Sequence, residues 1–217
     1  MTGITSDARS KKRNPEAVKA DILRIATEEF AGSGYAGARV NVIAERTNTS
    51  KRMIYYYFGD KENLYREVLE NSYRAIRIGE SLLDLEHLSP DEAMRTLIAF
   101  TFEHQKKNTD FVRLTMIENI HNGAHLGDED EFRRINAPAI ERVESIYHRG
   151  VAEGVFKSRI TPVRLHWIIS SMCFFNSSNR VTFSAAFGEE VFTDEVQKLL
   201  CEEIQDAIMS LLLRKTD

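Results

Sequence analysis

The chain has 217 residues, 42% of them hydrophobic, and 29 Lys/Arg against 33 Asp/Glu give a net charge of −4. That is enough apolar material for one moderate domain or a small head on a larger body. No apolar run reaches the 18 residues of a membrane span, and the charged N-terminus MTGITSDARSKKRN is not followed by the apolar stretch of a signal peptide. Two cysteines, Cys173 and Cys201, imply no disulfide framework, so the cytoplasm is the expected compartment. Charge is unevenly spread: residues 1–61 carry 11 Lys/Arg and 7 Asp/Glu, a balance of +4, while the remainder stands at −8. A basic head on an acidic body orients a molecule at a polyanion.

In chain order, Arg9, Lys11, Lys12 and Arg13 form a basic run in a tail spanning 1–13. Such a run is either a solvated tail or an arm that orders in a minor groove. Asn14 and Pro15 mark a helix start. Val18, Ile22, Ala26 and Phe30 line the inner face of that helix, and Gly32 and Gly34 end it. Val40, Ile43 and Ala44 recur at helical spacing in the next segment, and Asn48 then breaks the pattern. Ser50 offers an N-cap oxygen to a third helix, in which Ile54 and Phe58 point one way and Arg52, Tyr55 and Tyr56 the other. Consecutive helical residues are about 100° apart, so Tyr55, Tyr56 and Tyr57 cannot all face one core. Two short helices joined by a tight turn make a helix-turn-helix, whose second helix enters the major groove of DNA.

Residues Ile22 to Ala38 (ILRIATEEFAGSGYAGA), Val40 to Ser50 (VNVIAERTNTS) and Lys51 to Tyr65 (KRMIYYYFGDKENLY) resemble the head of TetR-family transcriptional regulators. Tyr55 and Phe58, followed by Lys61, Glu62 and Leu64, carry the family's hallmark over about 50 residues. The resemblance implies a head over 14–60, a ligand-binding and dimerisation body over 61–217, and double-stranded DNA with a palindromic operator as partner. It places Asn41, Thr49, Ser50, Lys51, Arg52, Met53, Tyr55, Tyr56, Tyr57 and Lys61 at the DNA. Arg52 and Tyr55 are expected at base edges with Asn41 and Met53 contributing, and Tyr56, Tyr57 and Lys61 at phosphates. The chain departs from the family pattern at Ala38 and Arg39, where Ser or Thr is usual, at Asn48 in place of the turn glycine, and at Asn41 in place of Arg. Asn suits adenine where Arg suits guanine, so the last departure bears on the operator.

The rest reads as helix: Lys61 to Leu83, connecting head and body, then Pro90–Lys107, Asp110–Asn122, Ala137–Val155, Pro162–Phe187 and Thr193–Arg214. The fold class is all-α: a three-helix head and a larger helical body. Val196, Leu200, Ile204, Ala207 and Leu211 form a stripe that Leu199, Ile208 and Leu212 widen. A stripe that broad can serve both its own core and a second subunit. In the family, the helices at about 162–187 and 193–214 pair with their twofold mates into a four-helix bundle, and a homodimer matches a palindrome.

Ten of twelve phenylalanines follow residue 61, and an apolar pocket with a few placed polar groups takes a small-molecule effector. Polar or distinctive residues within apolar helical runs are the candidates: Phe111, Glu118, Asn119, His121, Trp167, Cys173 and Asn176. A buried Asn176 amide is either satisfied inside the fold or available to a ligand. Glu118, His121 and His125 have metal-ligand spacing, but Asn122-Gly123 ends the helix between the histidines, so neither metal nor cofactor is expected.

An enzyme is the rival class, and the chain shows no glycine-rich phosphate loop, no G-x-S-x-G and no H-E-x-x-H, although a catalytic site can be assembled without such a motif. An adaptor using the head to bind other helices is a second rival. The reading that fits best is a dimeric repressor released from its operator by a ligand. An activator, a co-repressor-dependent regulator or a metal-responsive regulator of the same fold is the alternative.

Overall fold

Asn14 accepts a hydrogen bond from the Glu16 amide at 3.1 Å and Pro15 follows it, so the first helix begins where its unpaired amides are met. The computed structural model describes residues 14–214; the basic run Arg9 to Arg13 lies outside them. Among the described residues are ten α-helices and no strand: α1 (Pro15–Gly37), α2 (Val40–Arg46), α3 (Lys51–Phe58), α4 (Lys61–Ser81), α5 (Pro90–Lys107), α6 (Thr109–Ile120), α7 (Glu129–Ala152), α8 (Pro162–Ser178), α9 (Arg180–Phe187) and α10 (Asp194–Leu212). A single 3-10 turn, Glu190–Phe192, separates the last two.

The head follows from its caps. Gly34 sits at φ +68°, breaking α1 before its last residues as the glycine pair predicted. Asn48 takes φ +48° in the turn, a conformation Asn tolerates better than most residues. The Ser50 hydroxyl accepts from the Met53 amide at 3.2 Å, and Asp60 accepts from the Asn63 amide at 2.8 Å. Ile22, Ala26, Phe30, Ile43, Ile54 and Phe58 close one buried cluster with Leu64, Tyr65, Val68 and Leu69 of α4. Leu114 of α6 is buried in the same cluster and Leu126 packs on it, so the head core is completed by side chains from beyond it.

A second cluster forms the core of the body, with Met94, Ile98 and Phe102 of α5, Val143 and Tyr147 of α7, Leu165, Ile169 and Cys173 of α8, and Ile204, Ile208 and Leu212 of α10. Phe156 is sealed against Gly150, where an added Cβ would meet its ring at 2.1 Å. Only glycine lets α7 approach that ring so closely.

Three expected boundaries move. α7 begins at Glu129 rather than Ala137, because Asp128 accepts from the amides of Asp130 and Glu131 at 2.9 Å and three acids fill the first turn. Pro138, next to the expected start at Ala137, lies inside that helix. The segment Pro162–Phe187 divides at Asn179, whose side chain bonds the Ser178 hydroxyl at 2.8 Å and the Phe175 carbonyl at 3.4 Å, turning the run of short polar residues into a cap. α6 stops at Ile120, with Asn122 and Gly123 at φ +56° and +71°.

Candidate nucleic-acid interface and ligand cavity

The outer face of α3 is built by what the inner face requires. Ile54 and Phe58 are buried, which turns Lys51, Arg52, Met53 and Tyr56 outward, and Tyr56 is 77% exposed. Lys51 and Arg52 have no ion pair with any described residue, whereas Arg46 of α2 is held by Glu28. Two cations without an ion pair and an exposed phenol on α3, with the exposed Asn41 on α2, make a surface suited to phosphates and base edges.

Three of the expected contact residues sit differently from the expectation. Tyr55 and Tyr57 are half-buried against the head core, Tyr55 under the Lys51 ammonium at 5.5 Å and Tyr57 edge-on to Tyr56 at 5.4 Å. The cause is rotation: with Ile54 and Phe58 inward, residues 55 and 57 fall on the flanks of the helix. Lys61 also turns back, donating to the Ala36 carbonyl at 3.4 Å and lying 4.9 Å above the Tyr35 ring. Thr49 is half-buried, and the Ser50 hydroxyl is occupied as the cap.

Within the body, α4, α5, α6, α7 and α8 line a cavity of about 330 Å³ that opens to solvent. Phe111, Asn119 and Trp167, three of the seven candidates named from the sequence, are among its lining residues. The other candidates lie elsewhere. His121 is exposed at the end of α6, its Nδ1 2.8 Å from the Ile117 carbonyl, because the helix has already terminated there. Cys173 is sealed in the body core, and burial pushes its thiol up to about 12. Asn176 is satisfied inside the fold: it donates to Gln197 Oε1 at 2.9 Å and accepts from Gln197 Nε2 at 3.0 Å. It borders a different hollow, about 450 Å³, apolar and open beside the exposed Phe175 on the face shared by α8, α9 and α10.

Other residues, unmarked in the sequence reading, shape the cavity lined by α4 to α8. Arg77 and Glu80 of α4 pair at 2.7 Å, with His104 and Gln105 of α5 and His166 of α8 around them. Burial and the Arg77 charge hold His104 below the ordinary imidazole value and His166 down to about 4, so both rings are neutral at pH 7. Burial lowers the Arg77 value and raises that of Glu80. The signal was present: Glu80 falls four residues after Ile76 and eleven after Leu69, on the buried stripe of α4.

Glu118 works on the other side of α6. It is buried and accepts from the His125 amide and from His125 Nδ1, each at 3.1 Å. The His125 ring lies 4.2 Å from that of Tyr35 and 5.3 Å from that of Tyr65, both in the head cluster. α6 therefore presents Phe111, Thr115 and Asn119 to the cavity, while Leu114 enters the head cluster and Glu118 holds His125, in the loop after α6, against Tyr35 and Tyr65. Among the described residues no three His, Cys, Asp or Glu side chains are grouped to hold a metal ion.

A helix-turn-helix head with cations outside any ion pair, joined to an all-helical body around a cavity, defines a DNA-binding regulator. Residues 22–68 match the family described as bacterial regulatory proteins, tetR family, and residues 90–208 match the tetracyclin repressor-like C-terminal domain. The chain is 33% identical over 184 residues to the HTH-type transcriptional repressor NicS of Pseudomonas putida, covering 85% of this chain and 84% of that one. It is 32% identical over 140 residues to the repressor SCO4008 of Streptomyces coelicolor, covering 64% and 69%. Among solved structures it resembles the putative transcriptional regulator SCO4942 of Streptomyces coelicolor, with a TM-score of 0.67 at 22% identity over 91% of this chain and 99% of the other. It also resembles FadR of Bacillus subtilis in complex with stearoyl-CoA, with a TM-score of 0.66 at 16% identity over 88% and 98%. This chain belongs to the TetR family, and with that it is a transcriptional regulator rather than an enzyme.

Proposed function

We propose that the protein is a homodimeric repressor that binds a palindromic operator through α3 and is released by a small molecule in the cavity lined by α4 to α8. The division falls after residue 60, with the head before it and the ligand-binding, dimerising body after it. The observation that carries this reading is the double engagement of α6, one face on the cavity and the other on the head. A ligand that prefers a shifted α6 changes the seat of Tyr35 and Tyr65, and linkage makes that preference a loss of operator affinity. The relatives' names support repression as the sign of control.

Dimerisation is supported by the outward face of α8 to α10. Ile204, Ile208 and Leu212 turn into the protomer's own core, while Phe175, Val181, Phe187, Leu199 and Leu211 stay exposed. An apolar face of this kind fits a twofold partner. No helix among the described residues is long and apolar enough to cross a membrane, in keeping with a cytoplasmic regulator.

Selection from random duplexes, followed by native mass measurement of the bound species, tests the proposal. Palindromic half-sites spaced by a helical turn, about 34 Å or a multiple of it, with protomers bound in pairs, are the expected result. Absence of sequence enrichment would discard it.

A further inference from the structure

The cavity is organised around one guanidinium that uses one of its five N–H donors. Arg77 Nη1 donates to Glu80 Oε2 at 2.7 Å, and Arg77 has no other acceptor among the described residues. Its Nε is sealed from solvent without a partner. Nη2, the terminal nitrogen left over, can donate to a carboxylate oxygen in a charge-assisted bond.

The charges around it favour an anion. Glu80 is acted on by both Arg77 and Arg142, so this cluster of three retains one positive charge. His104 and His166 are neutral at pH 7 and neither adds to nor offsets it. Lone buried polar atoms supply a second point of recognition. Gln105 is only 8% exposed and its Oε1 has no donor; His104 Nδ1 is also unpartnered. A buried amide oxygen left unpaired is costly, so a donor is favoured there.

The walls define shape. Phe111 meets Tyr73 edge to face at 5.1 Å, and Phe174 and Trp167 close the α8 side. At about 330 Å³ the space lies near the small end of ligand sites, roughly 300–1,000 Å³, which suits one or two rings and not a long acyl chain.

The geometry points to a small planar aromatic carboxylate bearing a ring hydroxyl or amino group, its carboxylate on the unpaired Nη2 of Arg77 and its ring substituent turned towards the Gln105 amide. The inference rests on the reading of this cavity as the effector site.

Trp167 is the chain's one tryptophan and lines the cavity, so its fluorescence reports occupancy. The full chain is titrated with benzoate, the monohydroxybenzoates, benzamide and benzylamine, and operator affinity is followed in parallel. The carboxylates are expected to bind at least tenfold more tightly than benzamide or benzylamine, with one monohydroxybenzoate ahead of benzoate. The double variant Arg77→Gln with Glu80→Gln, which removes the ion pair as a unit, should bring the carboxylate-to-amide ratio to about one. Gln105→Leu should remove only the advantage of the hydroxyl group, and it keeps the test alive if the double variant does not fold. Equal binding of benzamide, failure of every carboxylate to quench Trp167, or an undiminished carboxylate preference in the folded double variant each overturns the proposal. Tight, Arg77-dependent carboxylate binding without operator release would uphold the ligand class and overturn the effector reading instead.

Discussion

Removing Glu118 probes how the body holds the head. Its carboxylate accepts two hydrogen bonds from His125, both at 3.1 Å, in a site where Glu118 is 4% exposed. Hydrogen bonds to a charged group contribute roughly 1.5–3 kcal/mol each, and recovery of the carboxylate's desolvation cost offsets part of their loss. Glu118→Ala should therefore destabilise the chain by about 1–3 kcal/mol. Because the His125 ring rests on Tyr35 and Tyr65, part of that loss belongs to the head–body contact and not to α6 alone. Urea denaturation of Glu118→Ala, His125→Ala and the double variant measures it as a cycle, with a coupling energy above about 0.5 kcal/mol expected for residues in direct contact. The effector's power to release operator should fall in both single variants. Additive stabilities together with an unchanged effector response would show that the clasp carries no coupling.

Arg52→Ala should cost about 1–3 kcal/mol of operator binding and relax one position in each half-site; an unaltered base preference in site selection would remove Arg52 from the base edges. Lys51→Ala should lower the salt slope by about 1 per half-site for all sequences alike, and Lys61→Ala by less, since the Lys61 ammonium is engaged by Ala36 and Tyr35; equal slopes for the two variants would contradict this. Gly150→Ala should destabilise the chain by at least the roughly 1–3 kcal/mol typical of overpacking, because the new methyl falls 2.1 Å from Phe156; a near-wild-type denaturation midpoint would argue against that packing. His166 titrates near 4 in the fold and at 6.5 when unfolded, so its contribution is complete above about pH 6.5 and is lost as pH falls towards 4, by up to about 1.4 kcal/mol per pH unit. A His166→Gln chain with the same acid slope as the parent would refute that assignment.

The head was legible because each of its features is local. The Asn48 turn, the Ser50 and Asp60 caps, and the Ile54–Phe58 spacing lie within a dozen residues, and the structure repeats them. The flanking positions of Tyr55 and Tyr57 were harder to read, since a 100° step leaves a residue neither inward nor outward until the neighbouring helices are in place. In the body, Phe111, Asn119 and Trp167 stood out within apolar runs and do line one cavity. Arg77 and Glu80 did not, because α4 was read through its apolar stripe alone. The Asn176 partner, Gln197, lies 21 residues away and depends on how α8 meets α10, which local spacing does not encode. The break read at Asn122-Gly123 between the two histidines is present, and the loop there folds the His125 imidazole back onto the Glu118 carboxylate.

Reciprocal linkage tests the central claim most directly. For a compound that quenches Trp167, its affinity is measured with and without saturating operator, and operator affinity is measured with and without saturating compound. Coupling through α6 predicts the same factor in both directions, on the order of 5–150. Identical affinities in the presence and absence of the other partner would contradict the account.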